Sequence, residues 1–135
     1  MTSHPVPLPR QLGRASGERG SASIQYIILM PALFLLMFLG LQSALVHWGR
    51  TAAMAAAQEG AREAARETGS ASEGISAARA FATTSTATLK GVGVSGFRSG
   101  TDAGVTVTAT TLSVLPGFSF HVTQSATMPV ERVTG

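Results

Sequence analysis

The chain has no cysteine, one lysine, one aspartate, one tyrosine and one tryptophan in 135 residues, and each shortage excludes something. Without cysteine there are no disulfide staples, no thiolate zinc ligands and no cysteine nucleophile, so an exported domain would be held by packing alone. Charged residues make up only 13% of the chain and mean hydropathy is +0.25. A disordered chain has the reverse composition, high in charge and poor in apolar residues. The net charge of +3 and the pI of 10.6 come from nine scattered arginines and Lys90. No basic stripe with interleaved aromatics is present, so no nucleic-acid partner is expected. Catalytic groupings are missing too. His4, His47 and His121 are far apart in the sequence with no partner at metal-ligand spacing. Asp102 sits in a turn-forming stretch, and the acids form no isolated pair in an apolar setting. No catalytic residue, cofactor, metal or small-molecule substrate is therefore expected.

What the chain does have is one long apolar run. Residues 24–46 read IQYIILMPALFLLMFLGLQSALV, 23 residues without a charge. As a helix this reaches about 34 Å, against a bilayer hydrocarbon thickness of about 30 Å, so it can span with some tilt. A domain this small could not wrap such a helix on all sides. Arg10, Arg14 and Arg19 precede the run against Glu18 alone, while the residues after Trp48 carry seven cations and six anions. An excess of arginine close to one end keeps that end in the cytoplasm. Tyr26 and Trp48 lie where amphipathic aromatics favour the membrane interface. The expected arrangement is a cytoplasmic leader at 1–20, a transmembrane helix at 21–48 and an extracytoplasmic head at 49–135.

The leader, with Pro5, Pro7, Pro9, Gly13, Gly17 and Gly20, has no periodic apolar face and reads as disordered. The apolar helix continues through TAAMAAAQEGAREAARE, where Glu59, Arg62, Glu63, Arg66 and Glu67 form one charged stripe and Ala53, Ala57, Ala61, Ala64 and Ala65 lie mostly on other faces. Gly69 and Ser70 should end it. A second helix is expected from about Ser72 to Leu89, with Ile75, Ala78, Phe81 and Ala82 on one face. Its threonine-rich end favours helix less. After Gly91 the pattern turns to strand. Val105, Val107 and Ala109 alternate with Thr106, Thr108 and Thr110, and Phe118, Phe120, Val122 and Gln124 share a side. SGTDAG reads as a hairpin loop and LPG at 115–117 as a second turn. The predicted fold is α+β: a long N-terminal helix, a second short helix and about three antiparallel strands covered by the alanine-rich helical surface.

GVGVSG at 91–96 matches G-x-G-x-x-G. The dinucleotide-binding version needs a strand before it, a helix opening from it and an acid about 20 residues on. Here a loop and strand follow, and residues 110–112 are Thr-Thr-Leu, so the glycines read as turn and strand-edge residues.

The most informative boundary is ERGSASIQY, residues 18–26, where a basic leader ends at Gly20 and the charge-free helix begins. It resembles the processing site of type IV prepilins, in which a membrane aspartic peptidase cuts after a glycine. Glycine suits a peptide that must enter an active site extended and unobstructed. From Arg19 onward the chain resembles the TadE/TadG-like family of pseudopilins of the tight-adherence (type IVb) pilus system. The residues that carry this are RGSASIQYIILMPALFLLMFLGL with Pro31 inside the run, AAAQEGAREAA at 55–65, and LPGF followed by ATMPVERV at 126–133. The resemblance implies cleavage between Gly20 and Ser21 and an assembly helix bearing Gln25, Tyr26 and Pro31. It also implies membrane lipid, the prepilin peptidase, other pilin or pseudopilin subunits and the assembly platform as partners. One position departs from the pattern: the fifth residue after the cut is usually Glu, whose carboxylate neutralises a neighbouring subunit's new amine, and here it is Gln25. A carboxamide can accept a hydrogen bond but cannot neutralise the amine of Ser21, which suits a minor subunit better than a homopolymer. Pro31 leaves the carbonyl of Ile27 without its helical donor.

Two other readings fit parts of the chain. Ala53-Met54-Ala55 and Ala55-Ala56-Ala57 supply the A-x-A pattern of signal peptidase, but a signal peptide's apolar core runs about 7–15 residues and this one has 23. A permanently anchored single-pass protein with a binding head differs from the pilin reading only at Gly20.

Overall fold

The computed structural model describes residues 1–7, 16–85 and 87–134. Two helices, α1 (Ser16–Ala65) and α2 (Ala71–Ser85), precede three strands, β1 (Leu89–Arg98), β2 (Asp102–Thr111) and β3 (Phe120–Pro129). The fold is α+β with an antiparallel sheet in the order β1-β2-β3. The chain divides into two compact units, Met1–Met37 and Phe38–Gly135.

In the first unit, residues 1–7 have no regular secondary structure. Helix α1 begins at Ser16, so Gly20 and Ser21 lie inside it, whereas the sequence predicts a helix that begins after Gly20. No proline falls between Pro9 and Pro31. Gly17 and Gly20 each cost about 1 kcal/mol of helix propensity relative to alanine, too little to stop elongation from a long helix already formed. The rest of the expected leader, residues 8–15, lies outside the described residues.

In the second unit the head is built on alternation. Ala103, Val105, Val107, Ala109 and Thr111 of β2 are buried, and Val122 of β3 joins them. Thr106, Thr108 and Thr110 face the other way, as the period of two requires. Helical cover comes from alanine: Ala53, Ala56, Ala57, Ala61 and Ala64 of α1 and Ala78 and Ala82 of α2 have no exposed surface. Ala53, Ala56, Ala57, Ala78 and Ala82 join Ala52, Leu89, Val122 and β2's Val105, Val107 and Ala109 in one apolar core, flanked by Phe81, Val92, Val94 and Ala126. Ala64 packs with Ala65 and Ala103 in a second, smaller cluster beside Met128 and Val130. The charged stripe of α1 lies outside this core, with Arg62 bound to Glu59 at 3.2 Å and Arg66 to Glu63 at 3.0 Å.

Small side chains let backbones touch. A Cβ on Gly60 would lie 2.6 Å from the carbonyl oxygen of Gly74 and 2.7 Å from Ala78 Cβ. One on Gly74 would lie 2.6 Å from the Gly60 carbonyl oxygen and 2.7 Å from Ala64 Cβ. The two helices therefore meet glycine against glycine, above Val105. Between them, Ser70 caps α2: the Glu73 N–H donates to Ser70 Oγ at 3.2 Å, and Ser70 Oγ donates to the Glu73 carboxylate at 2.9 Å. This is the S-x-x-E capping-box spacing.

Helix α2 stops at Ser85, short of the predicted Leu89. Thr83 Oγ1 turns back to the Arg79 carbonyl at 2.9 Å, and threonine's branching and competing hydroxyl weaken the last turn. Leu89 instead opens β1, buried. Strand β2 takes up Asp102, Ala103 and Gly104 of the expected SGTDAG loop, leaving Ser99–Gly100–Thr101 as the connection. There Asp102 N–H donates to Ser99 Oγ at 2.9 Å and Thr101 Oγ1 to the Asp102 carboxylate at 2.8 Å. At the second turn the Phe118 N–H reaches the Leu115 carbonyl at 3.3 Å with Gly117 at φ +81°, the left-handed third position that follows proline in a type II turn.

Packing of the head reaches further down α1 than the predicted head boundary at residue 49. Gln42 is 4% exposed. Its Nε2 donates to the Leu112 carbonyl at 3.4 Å, and its Oε1 accepts from Val114 N–H at 2.9 Å and Ser113 Oγ at 3.2 Å. Thr111 and Leu89 pack directly against Gly49.

The candidate assembly helix

From Ile27 to Leu41, helix α1 is apolar on every side and exposed on every side. Ile24, Ile27, Ile28, Leu33, Phe34, Leu35 and Leu36 are all more than half exposed, Ile27 at 72%. An 18-residue window of this helix has mean hydropathy 2.3 and none of it is buried within the chain. A soluble protein's surface helix shows an apolar stripe on one face only, while a helix hydrophobic all round belongs in a core or a membrane. By length and composition α1 can cross a membrane. Burying one large apolar side chain is worth roughly 1.5–3 kcal/mol, so leaving more than a dozen in water would outweigh the whole stability of a small domain, about 5–15 kcal/mol.

The residues singled out in the sequence all fall on this helix. Gly20 has open space where a Cβ would sit, and Ser21 is exposed beside it. Gln25 and Tyr26 are exposed neighbours, with Ala22, Ile28, Leu29 and Ala32 bordering the same shallow groove. Pro31 lies within the helix, where it removes one backbone donor. Gln25 forms no hydrogen bond within the chain among the described residues. The contrast is Gln42 on the same helix, whose three bonds anchor the loop between β2 and β3. Sequence reasoning missed Gln42. A glutamine at the end of an apolar run was its only local signal, because its partners lie 70 or more residues away.

Among the described residues no second constellation competes with the helix. His4 and His47 are exposed, and His121 sits on the outer face of β3 with its Nδ1 3.1 Å from Thr110 Oγ1. Among the described residues no group of three or more His, Asp or Glu could hold a metal ion. The G-x-G-x-x-G stretch lies within edge strand β1 and opens no helix. Its glycines have structural work: Gly91, at φ +60°, sits where the β1–β2 register shifts by a residue, the position of a glycine bulge. A Cβ on Gly93 would lie 2.7 Å from Thr108 Oγ1.

These features define a class: a small protein with one membrane-capable helix among the described residues, whose alanine-rich later part backs an α+β head. Within that class the chain is similar to one family, whose model, described as TadE-like protein, matches residues 20–62. The match begins at Gly20, takes in the whole exposed apolar segment and ends in the alanine-rich part of α1. The TadE/TadG-like resemblance read from the sequence thus holds over this stretch. No curated protein and no solved structure gives a match.

Proposed function

We propose that this protein is a Tad pilus-associated structural component, a minor pilin or pseudopilin inserted in the bacterial cytoplasmic membrane and cut by a prepilin peptidase between Gly20 and Ser21. The observation that carries this is the exposed, charge-free segment of α1 that lies inside the family match beginning at Gly20. The arginine-rich leader stays in the cytoplasm and the head faces outward. A helix with this much uncovered apolar surface needs lipid before assembly and the helices of other subunits after it. The head contributes no reacting groups; it is a packed body that the helix carries to the assembly platform. Trp48 and Phe118, each 65% exposed on the head, supply aromatic surface of the kind that favours the membrane interface.

Because Gly20 lies inside α1, the peptidase must first unwind the turn around it. Gly17 and Gly20 lower the cost of doing so. The test is the N-terminus of the protein in the membrane fraction, by intact mass and terminal sequencing. A Ser21 terminus that disappears when the peptidase is deleted is the expected result. A terminus between Ala56 and Gln58 would mean signal-peptidase secretion, and an uncut chain would mean a plain membrane anchor; either outcome defeats the proposal. If Gln25 limits polymerisation, Gln25→Glu should raise the amount of protein found with filaments, and equal amounts would remove that idea.

A further inference from the structure

We infer that the loop between β2 and β3, residues 112–119, is a second membrane contact: it lies in the bilayer interface, with Phe118 among the upper acyl chains and Arg50 and Lys90 on anionic headgroups. The inference rests on the membrane reading given above and deepens it, naming the lipid surface that the head touches. Every residue it uses belongs to the unit Phe38–Gly135. Gln42 holds the loop against α1 through Leu112, Ser113 and Val114, so the loop stands level with that part of the helix. There α1 carries no Asp, Glu, Lys or Arg over residues 38–49, and Leu39 and Leu41 are nearly half exposed. Leu115 and Phe120 border one groove with Leu39, Val46 and Arg50. The loop continues that uncharged surface. Residues 111–120 read TLSVLPGFSF, and Phe118, in the turn, is 65% exposed.

Two properties select lipid as the occupant. The first is the loop's backbone, because non-helical chain close to hydrocarbon needs its polar groups satisfied from within the protein. The Leu112 N–H donates to the Thr88 carbonyl at 3.2 Å and the Phe118 N–H to the Leu115 carbonyl at 3.3 Å. The Val114 N–H donates to Gln42 Oε1 at 2.9 Å and the Leu115 N–H to Ser113 Oγ at 3.1 Å. Pro116 has no N–H to satisfy. The second property is charge. Arg50 borders the groove, and Lys90 follows Leu89, whose strand partner Thr111 leads into the loop. Both cations are exposed, and neither is in an ion pair among the described residues. The acids lie elsewhere. The first on α1 beyond Gln42 is Glu59, about 25 Å further along the helix, and Asp102 and Glu131 flank the opposite turn at Thr101. An apolar tip bordered by unpaired cations fits a surface of anionic headgroups over hydrocarbon. A second copy would bring the same cations against each other.

The chain's one tryptophan, Trp48, can be moved to make a single reporter. Full-length protein carrying Trp48→Phe with Phe118→Trp would be reconstituted in phosphatidylcholine vesicles, with or without phosphatidylglycerol, whose acyl chains are brominated near the headgroup. The reference is Trp48→Phe with Val133→Trp, beside the opposite turn. The reporter at 118 should lose most of its emission to the bromines and be several-fold less open to acrylamide than the one at 133. Bromine quenching should be stronger with phosphatidylglycerol, and Arg50→Gln with Lys90→Gln should abolish that difference. Equal behaviour at 118 and 133 in vesicle-bound protein would overturn the loop contact while leaving the membrane reading in place. Shielding from acrylamide at 118 without bromine quenching would overturn it too, since protein rather than lipid would then cover the loop. Indifference to phosphatidylglycerol would overturn the assignment of the cations to headgroups. Failure of the protein to float with the vesicles would overturn the membrane reading and the loop contact with it.

Discussion

Helix α1 has two parts that invert the usual rule of burial. From Ile24 to Leu41 it carries leucine, isoleucine, methionine and phenylalanine, and these large side chains are exposed. From Ala52 to Ala65 it carries chiefly alanine, and all of these alanines but Ala55 are buried. A single domain that maximised its own stability would put the large groups inside, because transfer free energy scales with the area removed from water. The difference shows that the two parts answer to different surroundings. The alanine part is shaped for a backbone-close fit within the chain, and the leucine part is built for an apolar medium that the chain does not supply.

That comparison can be broken from either end. The largest expected effect is on the exposed part. Leu35→Arg puts a charge near the middle of the span, at a cost of about 2.5–3.5 kcal/mol on insertion scales. Membrane retention should fall while the proteolytic resistance of the head stays unchanged; retention equal to wild type would show that this segment does not cross the bilayer. Nearly as large is the effect of Gly60→Leu, which forces a side chain into the Gly74 backbone. Overpacking of this kind costs about 1–3 kcal/mol or more. Urea-dependent proteolysis should show a less stable head in protein that is still retained by the membrane.

A smaller loss, about 1–3 kcal/mol, is expected for Gln42→Leu, which leaves the Val114 N–H and the Leu112 carbonyl without their side-chain partner. It should appear as faster cleavage within residues 112–119. Smallest is Ser70→Ala at about 1 kcal/mol, read as a lower urea midpoint with an unchanged slope. If Gly60→Leu and Ser70→Ala proved equally mild, the close helix crossing would not be what holds the head together.

Much of this was legible because it is local. The charge-free run, the alternation of Val105, Val107 and Ala109 against the threonines, and the separation of the α1 charged stripe from its alanines follow from period alone. The capping-box spacing of Ser70 and Glu73 was present in the sequence and marks the start of α2 better than the apolar pattern does. What could not be read depends on distant partners. Nothing near Gly60 in the sequence announces Gly74, and Gln42 looks like one more residue of a spanning helix until the β2–β3 loop closes over it. The start of α1 at Ser16 was hidden for the opposite reason: glycines suggest a break, but the cost of two is small beside the length of helix they join. Gly20 and Ser21, expected at a cleavage site, and Gln25, Tyr26 and Pro31, expected on an assembly helix, were singled out by resemblance, and the structure puts all five on one helix.

The end of α1 has a consequence for the order of folding. Only one of the carbonyls there is capped locally, that of Arg66, which accepts from the Gly69 N–H at 2.9 Å. Arg98, at the far end of β1, donates to the carbonyls of Ala64, Arg66 and Glu67, and the Glu131 N–H donates to that of Ala65 at 2.9 Å. Contacts of such long sequence separation form late, since loop closure precedes their reward. As the chain emerges N-terminus first, the apolar part of α1 is made long before residue 131 exists to complete the helix's other end, so under the proposed membrane reading it can engage the bilayer first. The end of α1 is therefore completed only when the last strand has been made, by contacts from Arg98 and Glu131.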